Sequence, residues 1–266
     1  MSSTIEYLWT GTELADVSAA ASIWNDASTP CLAADSWLVT EGRSLALELH
    51  RSRFLEAVEA HGGVDDELAP GEFWNSALAL IPRSRDWFPR VELRLRDGNR
   101  MLRFLLRPAP ARTASARLVT LPSTDPRTEP LFKGPATGAL FAVREHARDR
   151  GADETVIVSP EGYVVEGAAS ALLWWRGSFI CAPSHDLERV SSVTSRSVLT
   201  LAAALKIDVH YESVTPAELD GLEIWTLSSL HGIRIVTEWI DGPNTAELPA
   251  RLSAWRARLD RLRQPI

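Results

Sequence analysis

The period of the apolar positions changes repeatedly along this chain. Residues 5–10 read as a strand, with a turn at Thr10-Gly11-Thr12. Residues 31–32 and 37–40 read as short strands flanking Asp35-Ser36, and Glu41-Gly42-Arg43 as a hairpin-like turn. From Leu45 the period lengthens. Leu47, Leu49, His50, Arg53, Phe54 and Val58 mark an amphipathic helix that closes at His61-Gly62-Gly63. A second helix is predicted over 70–80. Val91, Leu93 and Leu95 alternate along a strand over 90–96, Asp97-Gly98-Asn99 is a strong hairpin signal, and 101–107 is the returning partner.

The stretch 123–128 is polar and contains Pro126, which makes it the candidate linker between an N-terminal domain, 1–122, and a C-terminal domain, 129–266. Beyond it a helix is predicted over 137–150, with Leu140, Val143 and His146 at helical spacing. Strands follow at 156–159, 172–175 and 179–182. A helix covers 194–205, with Lys206 at its end as a cation complementing the helix dipole. Residues 207–214 alternate, a short helix starts at Thr215-Pro216, strands lie at 224–227 and 233–239, and an amphipathic helix over 248–262 closes the pattern. The fold class is α/β of the α+β type, with a smaller β-rich N-terminal domain and a larger C-terminal one.

At 266 residues the chain is long enough for two domains with sizeable cores. Its net charge of −7 argues against wholesale nucleic-acid binding. No apolar run approaches the roughly 18–20 residues that span a membrane, and Met1-Ser2-Ser3-Thr4-Ile5-Glu6 has no signal-peptide character. Cys31 and Cys181 are too few for a disulfide framework, which fits a reducing cytoplasm, and no metal-ligand spacing is present.

Of the 28 basic residues only two are lysines, Lys133 and Lys206. A chain so poor in lysine keeps one where arginine cannot act: an amine can lose its proton and attack a carbonyl, and a guanidinium effectively cannot. The dipole accounts for Lys206. Lys133, in Leu131-Phe132-Lys133-Gly134-Pro135, has no such explanation.

Downstream lie Glu161-Gly162-Tyr163-Val164-Val165-Glu166-Gly167, then Ser192-Val193-Thr194-Ser195, then Ser228-Ser229-Leu230-His231-Gly232-Ile233; upstream lies His50-Arg51-Ser52-Arg53-Phe54. In this order and spacing the pieces resemble the class IV aminotransferases, pyridoxal-phosphate enzymes of fold type IV. That group includes branched-chain and D-amino-acid aminotransferases and aminodeoxychorismate lyases. The resemblance implies that Lys133 bonds to the cofactor aldehyde and then moves the substrate proton, while Glu166 faces the pyridine nitrogen. It implies that Arg53, the amides at Val193 and Thr194, and Ser229 hold the phosphate. Ser170 would lie near the cofactor. Arg90 and His231 are the candidates for binding the substrate, and Trp174 and Trp175 read as core.

Departures from the family pattern concern the substrate side. Ser195 stands where many relatives have arginine, Ala171 replaces a common asparagine, and His231-Gly232-Ile233-Arg234 replaces the loop of branched-chain enzymes. The implied activity is an aminotransferase moving an amino group from an amino acid to a 2-oxo acid. The alternative is an aminodeoxychorismate lyase giving 4-aminobenzoate and pyruvate. The family also implies a homodimer.

Overall fold

The structure is a computed structural model, and it describes residues 4–18, 29–62 and 68–266. It divides into two compact units. The first comprises Met1–Ala111, Phe132–Thr137 and Leu262–Ile266; the second comprises Arg112–Leu131 and Gly138–Arg261.

In the first unit, strands β1 (Ile5–Trp9), β2 (Leu14–Asp16) and β3 (Cys31–Ser36) are followed by β4 (Val39–Thr40) and β5 (Arg43–Ser44). Helices α1 (Leu47–Ala60) and α2 (Pro70–Ala79) come next, then β6 (Asp86–Trp87), β7 (Arg90–Arg96) and β8 (Asn99–Leu106). An antiparallel sheet runs in the order β2-β1-β8-β7-β3. The β7–β8 hairpin turns at Asp97 (φ 51°) and Gly98 (φ 80°), the left-handed pair that a two-residue turn needs. Phe54, Ala57 and Val58 of α1 share one face with His50, and that face is buried among Trp37, Phe73, Trp74 and Phe104. Gly63, the expected end of α1, lies outside the described residues.

The sequence reading placed Asp35-Ser36 between two short strands. Instead β3 runs unbroken from Cys31 to Ser36 and pairs with β7, Asp35 lying opposite Val91. Asp and Ser favour turns because their side chains bond to nearby backbone. Here Asp35 is fully buried and its oxygens bond to His50 and Arg53, so the local preference has no hold on it.

In the second unit come β9 (Ser115–Thr120), α3 (which starts at Thr137 and ends at Asp149), β10 (Glu154–Val158), β11 (Val164–Gly167), β12 (Ala171–Arg176) and β13 (Phe179–Pro183). Helix α4 (Val193–Ala204), β14 (Val209–Glu212), β15 (Glu223–Ser228), β16 (Gly232–Ile240) and α5 (Pro249–Arg261) complete it. Its eight-stranded mixed sheet has the order β11-β10-β9-β16-β15-β12-β13-β14. Trp174, Leu172, Ile224, Val236 and Leu118 form one core, and Trp175 packs edge-on against Trp225 and Trp255. The two adjacent tryptophans of β12 are therefore core residues, as expected of alternate strand faces.

The last strand, β17 (Gln264–Pro265), returns to the first unit and pairs with β5 in a small sheet of order β17-β5-β4-β6. No helix among the described residues is long and apolar enough to cross a membrane.

Candidate functional site

The first unit gathers Arg53, His50 and Asp35 around one buried carboxylate. Arg53 donates from Nε to Asp35 Oδ2 at 2.8 Å and from Nη2 to Oδ1 at 2.9 Å, a bidentate fork that fixes the guanidinium plane. His50 Nδ1 lies 2.7 Å from Asp35 Oδ1. Burial alone would raise the Asp35 pKa; the charges of Arg53 and His50 outweigh it and hold the carboxyl well below its usual range. An ionised Asp35 accepts, so His50 donates from Nδ1. Burial lowers the His50 pKa, Asp35 pushes it back up, and the cations Arg53 and Lys133 lower it further. The Lys133 ammonium is therefore within electrostatic reach of His50. Lys133 is half-buried, and its carbonyl accepts the Ala34 N–H at 2.6 Å.

Arg90, a candidate for the substrate carboxylate, already donates from Nε to Glu92 Oε1 at 2.5 Å. Glu92 also accepts from Arg94 at 3.1 Å and Arg103 at 3.2 Å. Burial would raise the Glu92 carboxyl, but these guanidinium groups hold it at about 2. Much of the Arg90 charge is thus engaged within its own strand and sheet.

In the second unit Glu166 stands on β11, 5 % exposed. Its Oε1 accepts from Arg127 Nη1 and from the Val190 N–H at 3.1 Å. Its Oε2 has no hydrogen-bond partner among the described residues. Arg127 is itself clamped by Asp125, which takes Nε at 2.9 Å and Nη2 at 2.7 Å. Burial raises the Glu166 pKa, and Arg127 with the Val190 amide offsets that shift only in part. The sequence reading assigned 123–128 to a polar linker and gave Arg127 no part in the site. Its partner lies 39 residues on, and nothing local announces the pair.

Helix α4 starts after Ser192, whose hydroxyl accepts the Ser195 N–H at 3.2 Å. The Arg196 N–H bonds to the Ser192 carbonyl at 2.9 Å. The amides of Val193 and Thr194, both buried, belong to the first turn that no helix satisfies internally, and the cap does not reach them. The Thr194 hydroxyl has no partner among the described residues. Ser192 is the N-cap.

Ser229 and His231 sit in the three-residue turn between β15 and β16. The His231 N–H donates to Ser228 Oγ at 3.2 Å, and the Ser229 hydroxyl makes no hydrogen bond among the described residues. His231 Nδ1 accepts the Thr113 N–H at 3.1 Å, which fixes the neutral ring with its proton on Nε2. Burial, with Arg234, Arg144 and Arg256 nearby, pushes its pKa down to about 4. Ser170 bonds to the buried Glu154 at 2.7 Å. Among the described residues no cluster of His, Cys, Asp or Glu could hold a metal ion. A separate groove in the first unit, lined by Trp9, Thr10, Leu68, Arg96 and Arg100, shares no residue with these groups.

The family model for amino-transferase class IV matches residues 32–239, most of the chain. The chain belongs to the class IV aminotransferases. No curated protein sequence matches it significantly. Among solved structures, this family member is similar to an aminotransferase from Mycobacterium tuberculosis, described as hypothetical and in a PLP-bound form. The TM-score is 0.78 at 18% identity, over 98% of each chain. It is similar to the branched-chain aminotransferase of Thermoproteus uzoniensis with norvaline, at TM-score 0.79 and 17% identity over 97% of this chain and 96% of that one. A provisionally assigned 4-amino-4-deoxychorismate lyase from Legionella pneumophila matches at 0.76 and 14%, over 88% and 91%. At these identities the likeness establishes a shared fold.

Proposed function

We propose that this class IV family member is a pyridoxal-phosphate-dependent aminotransferase, moving an amino group from an amino acid to a 2-oxo acid. The observation that carries the reading is Glu166: one oxygen is tied to Arg127 and Val190, and the other, on a nearly buried carboxylate, has no hydrogen-bond partner among the described residues. Such an oxygen matches a protonated ring nitrogen. The remaining donors are of the kinds that the rest of that cofactor needs. Arg53, the amides of Val193 and Thr194, and the hydroxyls of Thr194 and Ser229 would hold its phosphate.

When bound, the cofactor supplies an electron-poor ring that stabilises negative charge at the substrate Cα. The protein's share is positioning and proton transfer. Lys133 would hold the cofactor through its aldehyde, and its amine, once free, would move the proton at the substrate Cα. Glu166, with Arg127 beside it, would hold the proton on the ring nitrogen. His231 presents a neutral Nε2–H, a donor that adds no charge. Cytoplasmic location and a homodimer belong to the same proposal.

Purified protein is expected to be yellow and to lose its colour with borohydride; a colourless protein that takes up no added cofactor overturns the reading. Lys133→Ala should abolish the colour and Lys206→Ala should not. An amino-acid panel with 2-oxoglutarate or pyruvate should give transamination. Turnover of aminodeoxychorismate instead, with release of 4-aminobenzoate and pyruvate, replaces the transaminase with the lyase.

A further inference from the structure

Lys133 is held through its neighbours on both sides. Phe132 packs against the first unit's core and meets the His61 ring edge-on, with centroids 5.0 Å apart at 74°. The Lys133 carbonyl takes the Ala34 N–H. Gly134, at φ 142°, lies directly on the backbone of Ala33: a Cβ there would fall 2.7 Å from Ala33 Cα, 2.8 Å from its C and 2.9 Å from its N. No side chain fits that approach, and an L-residue is strained at that φ. The Gly134 carbonyl then accepts both the amide and the hydroxyl of Thr137, at 2.9 and 2.6 Å. The next residue of β3 after these contacts is Asp35, which orients Arg53.

We propose that Phe132 and Gly134 are positioning residues for Lys133. They set the place of its amine against the cofactor aldehyde, while phosphate binding is set separately through Asp35 and Arg53. The proposal rests on the pyridoxal-phosphate reading above. Its physical basis is the entropy of the lysine. A long flexible side chain on a mobile segment searches for its target, and a fixed backbone origin removes much of that search.

Two ligands separate the two functions. Pyridoxal phosphate can bond to Lys133. Pyridoxine 5′-phosphate has an alcohol in place of the aldehyde and cannot, but it carries the same ring and phosphate. The readout is the ratio of their dissociation constants, measured by equilibrium dialysis. The wild-type protein should prefer pyridoxal phosphate, and Lys133→Ala should bring the ratio close to one. Gly134→Ala should lower the wild-type ratio about tenfold, with pyridoxine phosphate affinity within about twofold of wild type. Phe132→Ala, at a half-buried position that can lose its ring without unfolding the unit, is measured alongside and should move in the same direction.

If both ligands weaken by the same factor, the two residues are merely structural and the proposal is overturned. An unchanged ratio in Phe132→Ala and in folded Gly134→Ala overturns it as well. Should the wild-type protein bind neither ligand, or show the ratio of Lys133→Ala, the functional reading itself fails and this inference falls with it.

Discussion

Arg127 donates to one oxygen of Glu166, and the other has no hydrogen-bond partner among the described residues. The arginine side chain is 3 % exposed and the glutamate 7 %, so the pair sits almost out of water. A buried carboxylate left alone takes up a proton. Arg127 and the Val190 amide oppose that only in part, so the Glu166 pKa stays raised, and a cation beside the second oxygen would favour the ionised form.

Removing only one member of a buried ion pair costs about 3–5 kcal/mol, because the other charge is stranded. Arg127→Met is expected to lower urea stability at neutral pH by that order, and to weaken cofactor binding. The double variant Arg127→Met with Glu166→Gln should recover most of the stability and none of the activity. If the double variant is as unstable as the sum of the two single ones, the residues are not coupled.

Asp35 titrates below its ordinary value in the folded protein. Its contribution to stability is present above the unfolded carboxylate pKa and is lost as pH falls through the folded one. The destabilisation caused by Asp35→Asn should therefore be largest at neutral pH and shrink on acidification. Urea titrations of both proteins across the acid range check the sign; a difference that grows toward low pH contradicts the pairing with Arg53 and His50.

Glu154 is the opposite case. Burial raises its pKa, and Ser170, Arg144 and Arg234 oppose the shift only in part. Stability from the protonated form is complete below the unfolded pKa and is lost as pH rises through the folded one. Glu154→Gln keeps the shape without the charge. Its stability relative to wild type should improve steadily as the pH is raised, read again from urea midpoints.

His231 should stay neutral with its proton on Nε2 through the whole physiological range, since its pKa lies at about 4. Nitrogen NMR of the ring checks this directly. A titration of His231 near neutrality would mean that the Thr113 amide does not hold Nδ1.

Lys206 lies at φ 57° just past α4. Its N–H bonds to the Ala203 carbonyl at 3.0 Å, and the Ile207 N–H bonds to Ala202 at 2.9 Å. That is a Schellman closure, whose left-handed residue is usually glycine. Lys206→Gly is expected to stabilise the protein by about 1 kcal/mol, visible as a raised melting temperature. The sequence reading explained this lysine by the helix dipole; the structure adds a backbone conformation in which lysine is strained.

What could be read in advance was local chemistry. Asp97-Gly98 determines its own hairpin, and the apolar spacing of α1 and α5 needs no distant partner to be recognised. The motif order around Lys133 and Glu166 was enough to point to the family whose model matches residues 32–239. Asp35 and Arg127 were lost because each resembles a turn or linker residue until a partner far along the chain is known. Strand β9, between β10 and β16 in the sheet, was not predicted: Arg117 interrupts its apolar run and leaves too short a signal. Strand β17, a Gln-Pro pair, has no pattern at all.

The return of residues 262–266 to the first unit has a consequence for biosynthesis. Ile266 N–H bonds to the Gly42 carbonyl at 3.0 Å, and Gln264 pairs with Ser44. On the ribosome every residue of the second unit emerges before that small sheet can close. The usual order, in which an N-terminal unit is finished while the rest is still being made, does not apply here. The earliest-made unit is the last to be completed, and until then the edge at β5 is open to whatever chaperone or neighbouring strand is at hand.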